Sequence, residues 1–134
     1  MNRKIILTFF SMAILVVLGS VYIIKSPSPG EVSLKIINQT DKDIDELLIT
    51  YNNDIENGVE LPIVYSNDEL KYLVDVKETS TEEFYEGSME LTYLDSSQII
   101  IPYFGETWSG EVIVVINSIE NNQLDITIEK TVQL

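Results

Sequence analysis

The chain opens on an unbroken apolar run, residues 5–24, with Arg3 and Lys4 before it and Lys25 after it. As a helix rising about 1.5 Å per residue, this run is about 30 Å long, the thickness of a bilayer's hydrocarbon core. It is apolar on every side, which sets it apart from the one-sided helices of soluble domains. It also outlasts the apolar segment of about 7 to 15 residues in a cleavable signal peptide, and Val17-Leu18-Gly19 is only a poor approximation to a cleavage site. The pattern predicts an uncleaved, single-pass signal anchor over residues 1–25. Lysine and arginine balance across it, Arg3 and Lys4 against Lys25 and Lys35, so the positive-inside rule does not orient it. The short basic start is the layout of an exported chain, which predicts a cytoplasmic N-terminus and the remainder outside the cell membrane.

Residues 26–30, Ser-Pro-Ser-Pro-Gly, cannot continue a helix, because each proline lacks an N–H and holds the residue before it extended. They form a short stiff linker. From residue 31 the spacing changes to the alternation of half-buried strands. Val32, Leu34 and Ile36 share one face, and Leu47, Ile49 and Tyr51 do the same after a turn-rich stretch; these two runs are expected to pair as a hairpin. Asn57-Gly58 is the strongest two-residue turn signal, followed by alternating Val59, Leu61, Ile63 and Tyr65, with Pro62 assigning that strand to an edge. Leu70, Tyr72, Val74 and Val76 predict a strand, although residues 66–69 also resemble a helix-capping box. Residues 78–88 are polar and acidic, hence a loop. Four further strands are expected around SMELTYL, QIIIPYF, EVIVVI and LDITIEKTV, and the continuously apolar residues 99–101 and 112–116 suggest central strands.

Seven or eight short strands in residues 31–134, with no convincing helix after the anchor, predict one all-β domain. The expected architecture is a single antiparallel β-sandwich of the immunoglobulin-like kind, with a partly open β-barrel as the alternative.

Charge changes the picture of the partners. All 22 acidic residues follow residue 25, where only five basic residues oppose them, a net charge of −17. Such a surface repels nucleic acid and anionic headgroups and suits a basic protein or a divalent cation. Histidine and cysteine are both absent. That excludes Ser-His-Asp and thiolate chemistry, disulfides, imidazole ligands and N-terminal cysteine lipidation. A pair of carboxylates can serve glycoside hydrolysis, but nothing in the sequence singles out a pair. No catalytic residue, cofactor or enzymatic activity is therefore expected.

Two groups of residues stand out as candidate sites. Asp41, Asp43 and Asp45 begin like a calcium loop, but its sixth position is Glu46 instead of glycine and its twelfth is Asn52 instead of glutamate. Glu82, Glu83 and Glu86 surround the aromatic pair Phe84-Tyr85, and Trp108, the only tryptophan, lies between two strong strands. Aromatic anchors with an acidic rim suit a basic partner, while packing and solvation are the simpler use of the same side chains. The sequence thus predicts a non-catalytic, membrane-tethered, extracytoplasmic binding module for a protein partner. An accessory membrane protein that associates through its helix and a carbohydrate-binding surface domain are the alternatives.

Overall fold

The computed structural model describes residues 27–76, 86–105 and 107–131. The expected anchor at residues 5–24 lies outside them. Among the described residues, no helix is long and apolar enough to cross a membrane.

The described residues form an all-β, sandwich-like unit of eight strands: β1 (Glu31–Asn38), β2 (Leu47–Tyr51), β3 (Val59–Glu60), β4 (Glu69–Asp75), β5 (Glu86–Tyr93), β6 (Ser96–Gly105), β7 (Gly110–Glu120) and β8 (Gln123–Thr131). They make two four-stranded sheets, ordered β4-β1-β7-β8 and β3-β2-β5-β6. The strict alternation of β1 explains its position. Val32, Leu34 and Ile36 are fully buried, while the residues between them are half-exposed. The core joins these side chains to Val112, Val114 and Ile116 of β7, and to Ile49, Met89, Leu91 and Phe104 of the other sheet.

Several expectations change at the level of pairing. The sandwich is not wholly antiparallel, because β1 runs parallel to β7, from Val32↔Gly110 to Asn38↔Ile116. Alternating apolar residues define which face of a strand is buried and carry no information on its direction. Nor do β1 and β2 form a hairpin. β1 pairs with β4 and β7, and residues 39–46 cross to the other sheet. β6 and β7 likewise lie in different sheets, so the turn around Trp108 is also a crossing.

The chain reverses between β2 and β3 through two successive turns: Asn52 and Asn53 have φ of 51° and 61° and Asp54 N donates to Tyr51 O at 2.9 Å, and Gly58 N then donates to Ile55 O at 3.2 Å, so Asn57-Gly58 also lies in a turn. Asn52 and Asn53 are both left-handed, as the central residues of a type I′ turn must be. The β7–β8 hairpin repeats the device at Asn121 and Asn122, with φ of 50° and 62°. After β3 the expected alternation fails at Pro62: Leu61 and Val64 are buried, whereas Ile63 and Tyr65 are exposed.

The run at residues 99–101 is not a central strand. β6 is an edge, and Met89↔Ile101 is followed by Glu90↔Ile99, so Ile100 is an extra residue. That bulge turns both Ile100 and Ile101 inward while Ile99 is 54% exposed. A bulge and the exposed Pro102 are the usual protection of an edge against pairing with other chains. β7 is interior, as expected, and β4 is a strand from Glu69 onward, not a helical turn. β5 begins at Glu86, so part of the expected acidic loop is strand.

On the outer face of the mixed sheet, Lys35 Nζ lies 2.7 Å from Glu69 Oε2 and Lys71 Nζ lies 3.6 Å from Glu69 Oε1. The hydrogen bond from Lys35 is the main cause that holds the Glu69 carboxyl below its usual pKa. A carboxylate whose pKa falls on folding stabilises the fold at pH above its unfolded value and loses that contribution as pH falls through the folded one. Glu69→Gln is therefore expected to flatten the acid limb of the stability curve slightly in urea titrations at low salt. Because the pair is exposed, added salt is expected to erase the difference.

Candidate functional site

The two sheets share a common end. Val32 faces Gly110 and Val112 faces Thr131 in one sheet, and Glu86 faces Gly105 in the other. Residue 30, the entry to β1, lies at this end, as does the β6–β7 crossing. Gly30 has φ of 89°, a conformation that favours glycine. Its N–H donates to Trp108 O at 2.7 Å and its carbonyl accepts Val76 N at 3.0 Å. Trp108 N in turn donates to Gly105 O at 2.9 Å. The crossing is thus tied by its backbone to the point where the chain enters the domain.

These ties assemble an aromatic and acidic surface. Trp108, half-buried, meets the ring of Phe104 edge-on, with centroids 6.5 Å apart and planes at 82°. Phe104 belongs to the core, so one side of the indole packs, as the simpler reading of this residue had it. Tyr103 meets Trp108 at 5.1 Å and 67°, and remains 47% exposed. Its hydroxyl donates to Glu86 Oε2. That hydrogen bond to an anion, with some desolvation and the charge of Glu86, raises the Tyr103 pKa above the ordinary phenol value. Of the residues expected to bind a partner, Glu86 and Trp108 are brought together here. Glu82, Glu83, Phe84 and Tyr85 lie outside the described residues.

Tyr103, which joins the pair, was not singled out by sequence reasoning. The bulges of β6 are the reason. Gly87↔Phe104 is followed by Met89↔Ile101, so two residues, Pro102 and Tyr103, stand against Ser88. Exposure of Tyr103 depends on that shift, which no local pattern announces.

Asp41, Asp43 and Asp45 lie at the opposite end, in the crossing between β1 and β2, and all three are exposed. Asp43 Oδ1 accepts Ser66 N at 2.8 Å, which ties this crossing to the turn before β4. Among the described residues, no three acidic side chains come close enough together to hold a metal ion. The same end carries an open groove of about 640 Å³ where Glu46, Leu94 and the Asn121-Asn122 turn meet.

A second polar cluster was also not anticipated. Glu90 is fully buried on the face of β5 that points away from the core, beside the Asn52-Asn53 turn. Its Oε2 accepts Thr50 Oγ1 and Asn53 N, each at 3.2 Å, and its Oε1 accepts Ser88 Oγ. Thr50 and Thr92 continue the chain of hydroxyls at 3.1 Å, and Thr92 and Ser97 at 2.5 Å. The Asn52 side chain seals the cover, its Oδ1 accepting Ser88 N at 3.0 Å and lying 1.9 Å from where a Cβ on Gly87 would stand. The polar positions of SMELTY were the available signal, but alternation assigns them to solvent. This cluster holds a loop onto a sheet. Its carboxylate has no access for a substrate.

What the Glu86–Tyr103–Trp108 surface offers chemically is a carboxylate beside the faces and edges of two rings, a combination that suits an ammonium or guanidinium group. Compared with protein-family models and with curated proteins, the chain matches none, so only its own residues bear on its function.

Proposed function

We propose that this chain is a membrane-anchored binding module without catalytic activity. An immunoglobulin-like sandwich, held outside the cytoplasm by residues 5–24, recognises a basic protein partner through the surface around Glu86, Tyr103 and Trp108. The observation that carries this reading is the assembly of a carboxylate from β5, a ring from β6 and a ring from the β6–β7 crossing, both rings partly exposed, on a domain whose residues after position 25 sum to a net charge of −17. Buried aromatic anchors with a charged rim are the usual makeup of a recognition surface. The length and uniform apolarity of residues 5–24 support the anchor.

The test is crosslinking in intact cells of the full chain and of a Glu82→Lys, Glu83→Lys, Glu86→Lys variant. A partner bound through this surface is expected to be captured at least about tenfold less by the variant, a loss of about 1.4 kcal/mol or more. Undiminished capture would move the association to the helix. Protease added to intact cells is expected to remove the domain, and its survival until lysis would reverse the orientation.

A further inference from the structure

Residues 52–57, between β2 and β3, are all exposed, and β3 beyond them pairs with β2 at only two positions, Leu48↔Glu60 and Ile49↔Val59. Within this segment Asn57 is followed by Gly58, and none of the other eight asparagines precedes a glycine. The pair is held by hydrogen bonds within its turn. Gly58 N donates to Ile55 O at 3.2 Å, and Asn57 Nδ2 donates to Asp54 Oδ2 at 2.8 Å. An exposed turn of this kind opens locally at little cost in free energy. Opening frees the Gly58 amide, and glycine has no Cβ to shield that nitrogen from the side chain before it.

We propose that Asn57 is a site of self-modification: its side-chain amide is lost through a cyclic imide with Gly58, and the product loosens β3 from β2. The Gly58 nitrogen gives its proton to base and attacks Cγ of Asn57. The new C–N bond closes a five-membered imide, the Cγ–Nδ2 bond breaks, and Nδ2 leaves with a proton as ammonia. Water then opens the ring. Cleavage between Cγ and the Gly58 nitrogen gives an ordinary aspartate, whereas cleavage at the main-chain carbonyl leaves the backbone running through Cγ, a β-linked aspartate. One water is consumed, one ammonia is released, and nothing is oxidised or reduced.

Either product disturbs the turn. Both replace the Nδ2 donor to Asp54 with a further negative charge, so an attraction becomes a like-charge repulsion. The β-linked form also adds a methylene to the backbone inside the turn. Gly58 lies against β2, since a Cβ built on it would stand 3.0 Å from Thr50 Cγ2 and 3.2 Å from Leu48 Cβ. Displacing Gly58 therefore reaches the short β2–β3 ladder and the bond from Leu61 N to Leu47 O at 2.8 Å. The modification is independent of the partner reading above.

The full chain in detergent micelles is aged at physiological temperature and neutral pH, then mapped by peptide mass spectrometry with fragmentation that separates the two aspartates. Asn57 is expected to convert at least about tenfold faster than any other asparagine, with the β-linked product in excess, and faster in mild alkali than in mild acid. Gly58→Ala is expected to slow the conversion at least about tenfold. Because its Cβ also crowds Thr50, Asn57→Gln, whose imide ring would be six-membered, is a second variant expected to slow it as much. A folded chain that keeps Asn57 intact while the same chain in urea loses it would show that the turn protects the amide, and would overturn the proposal. So would a conversion that neither substitution slows. The aged chain and Asn57→Asp are both expected to exchange the Leu61 amide proton faster than the fresh chain, with β7 unchanged; equal exchange would overturn the loosening of β3.

Discussion

Leu34→Ala is expected to destabilise the domain by about 3 kcal/mol, within the range for deleting a buried leucine side chain. Leu34 is fully buried at the centre of β1, facing Tyr72 of β4 and Val112 of β7. β1 is the strand that joins the early and late halves of the mixed sheet, so no neighbouring element can collapse into the cavity without disturbing two ladders. A domain of this size has a total stability of about 5 to 15 kcal/mol. With a urea dependence of about 1.5 kcal/mol per molar, the midpoint falls by about 2 M. Trp108 fluorescence reads the transition. Ser33→Ala, one residue away on the outer face, is expected to stay within about 0.5 kcal/mol. A Leu34→Ala loss below about 1 kcal/mol would mean that β1 does not occupy the core described here.

Asn38→Ala is expected to cost about 2 to 4 kcal/mol, although it removes little apolar surface. The side chain is 1% exposed. Its Nδ2 donates to the carbonyls of Lys42 at 2.8 Å and of Val64 and Tyr65 at 3.1 Å. Its Oδ1 accepts Thr40 N at 2.9 Å and Thr40 Oγ1 at 2.8 Å. Alanine would leave several of these groups buried without a partner, and each such group costs about 1 to 3 kcal/mol. The effect should be local as well as global. Ile44 and Val64 exchange backbone hydrogen bonds at 3.0 and 2.9 Å beside this node, so their amide protons are expected to lose hydrogen-exchange protection before those of β7. Asn38→Asp is expected to be worse than alanine, since it places a carboxylate against three carbonyl oxygens. Uniform loss of protection across both sheets would show that Asn38 does not act as a local pin.

The two predictions differ in how visible their residues are in the sequence. Leu34 belongs to a run whose alternation declares its burial. Asn38 sits in a stretch of turn residues, Asn-Gln-Thr-Asp-Lys-Asp, that reads as solvated. Its role exists because the crossing from β1 to β2 passes over residues 64 and 65, which are more than twenty positions away. Glu90 is concealed in the same way, since alternation places it on the outer face, where the Asn52-Asn53 turn and the hydroxyls of Thr50 and Ser88 close over it. Turn chemistry was partly legible. Asparagine is the right residue type at the β2–β3 and β7–β8 reversals, and Asn57-Gly58 does lie in a turn, but the left-handed pair after β2 is Asn52-Asn53, and the β5–β6 reversal uses Leu94 with φ of 52°. A local propensity does not choose among neighbouring candidates, whereas the register of the flanking strands does.

The candidate surface divides along the same line. Glu86 and Trp108 could be named from composition, as an acid beside aromatics and a lone tryptophan near a predicted turn. Their meeting through Tyr103 required the β5–β6 register and the bulge opposite Ser88. Period-two patterning, the two-asparagine turns, the acidic surface and the absence of histidine and cysteine follow from the order of residues, because each is a property of one residue or its near neighbours. The parallel β1–β7 pair, the crossings between sheets, the burial of Asn38 and Glu90 and the shared end of Gly30 and Trp108 do not. They are set by which distant strands bury each other's apolar faces best, a choice made by the whole core at once.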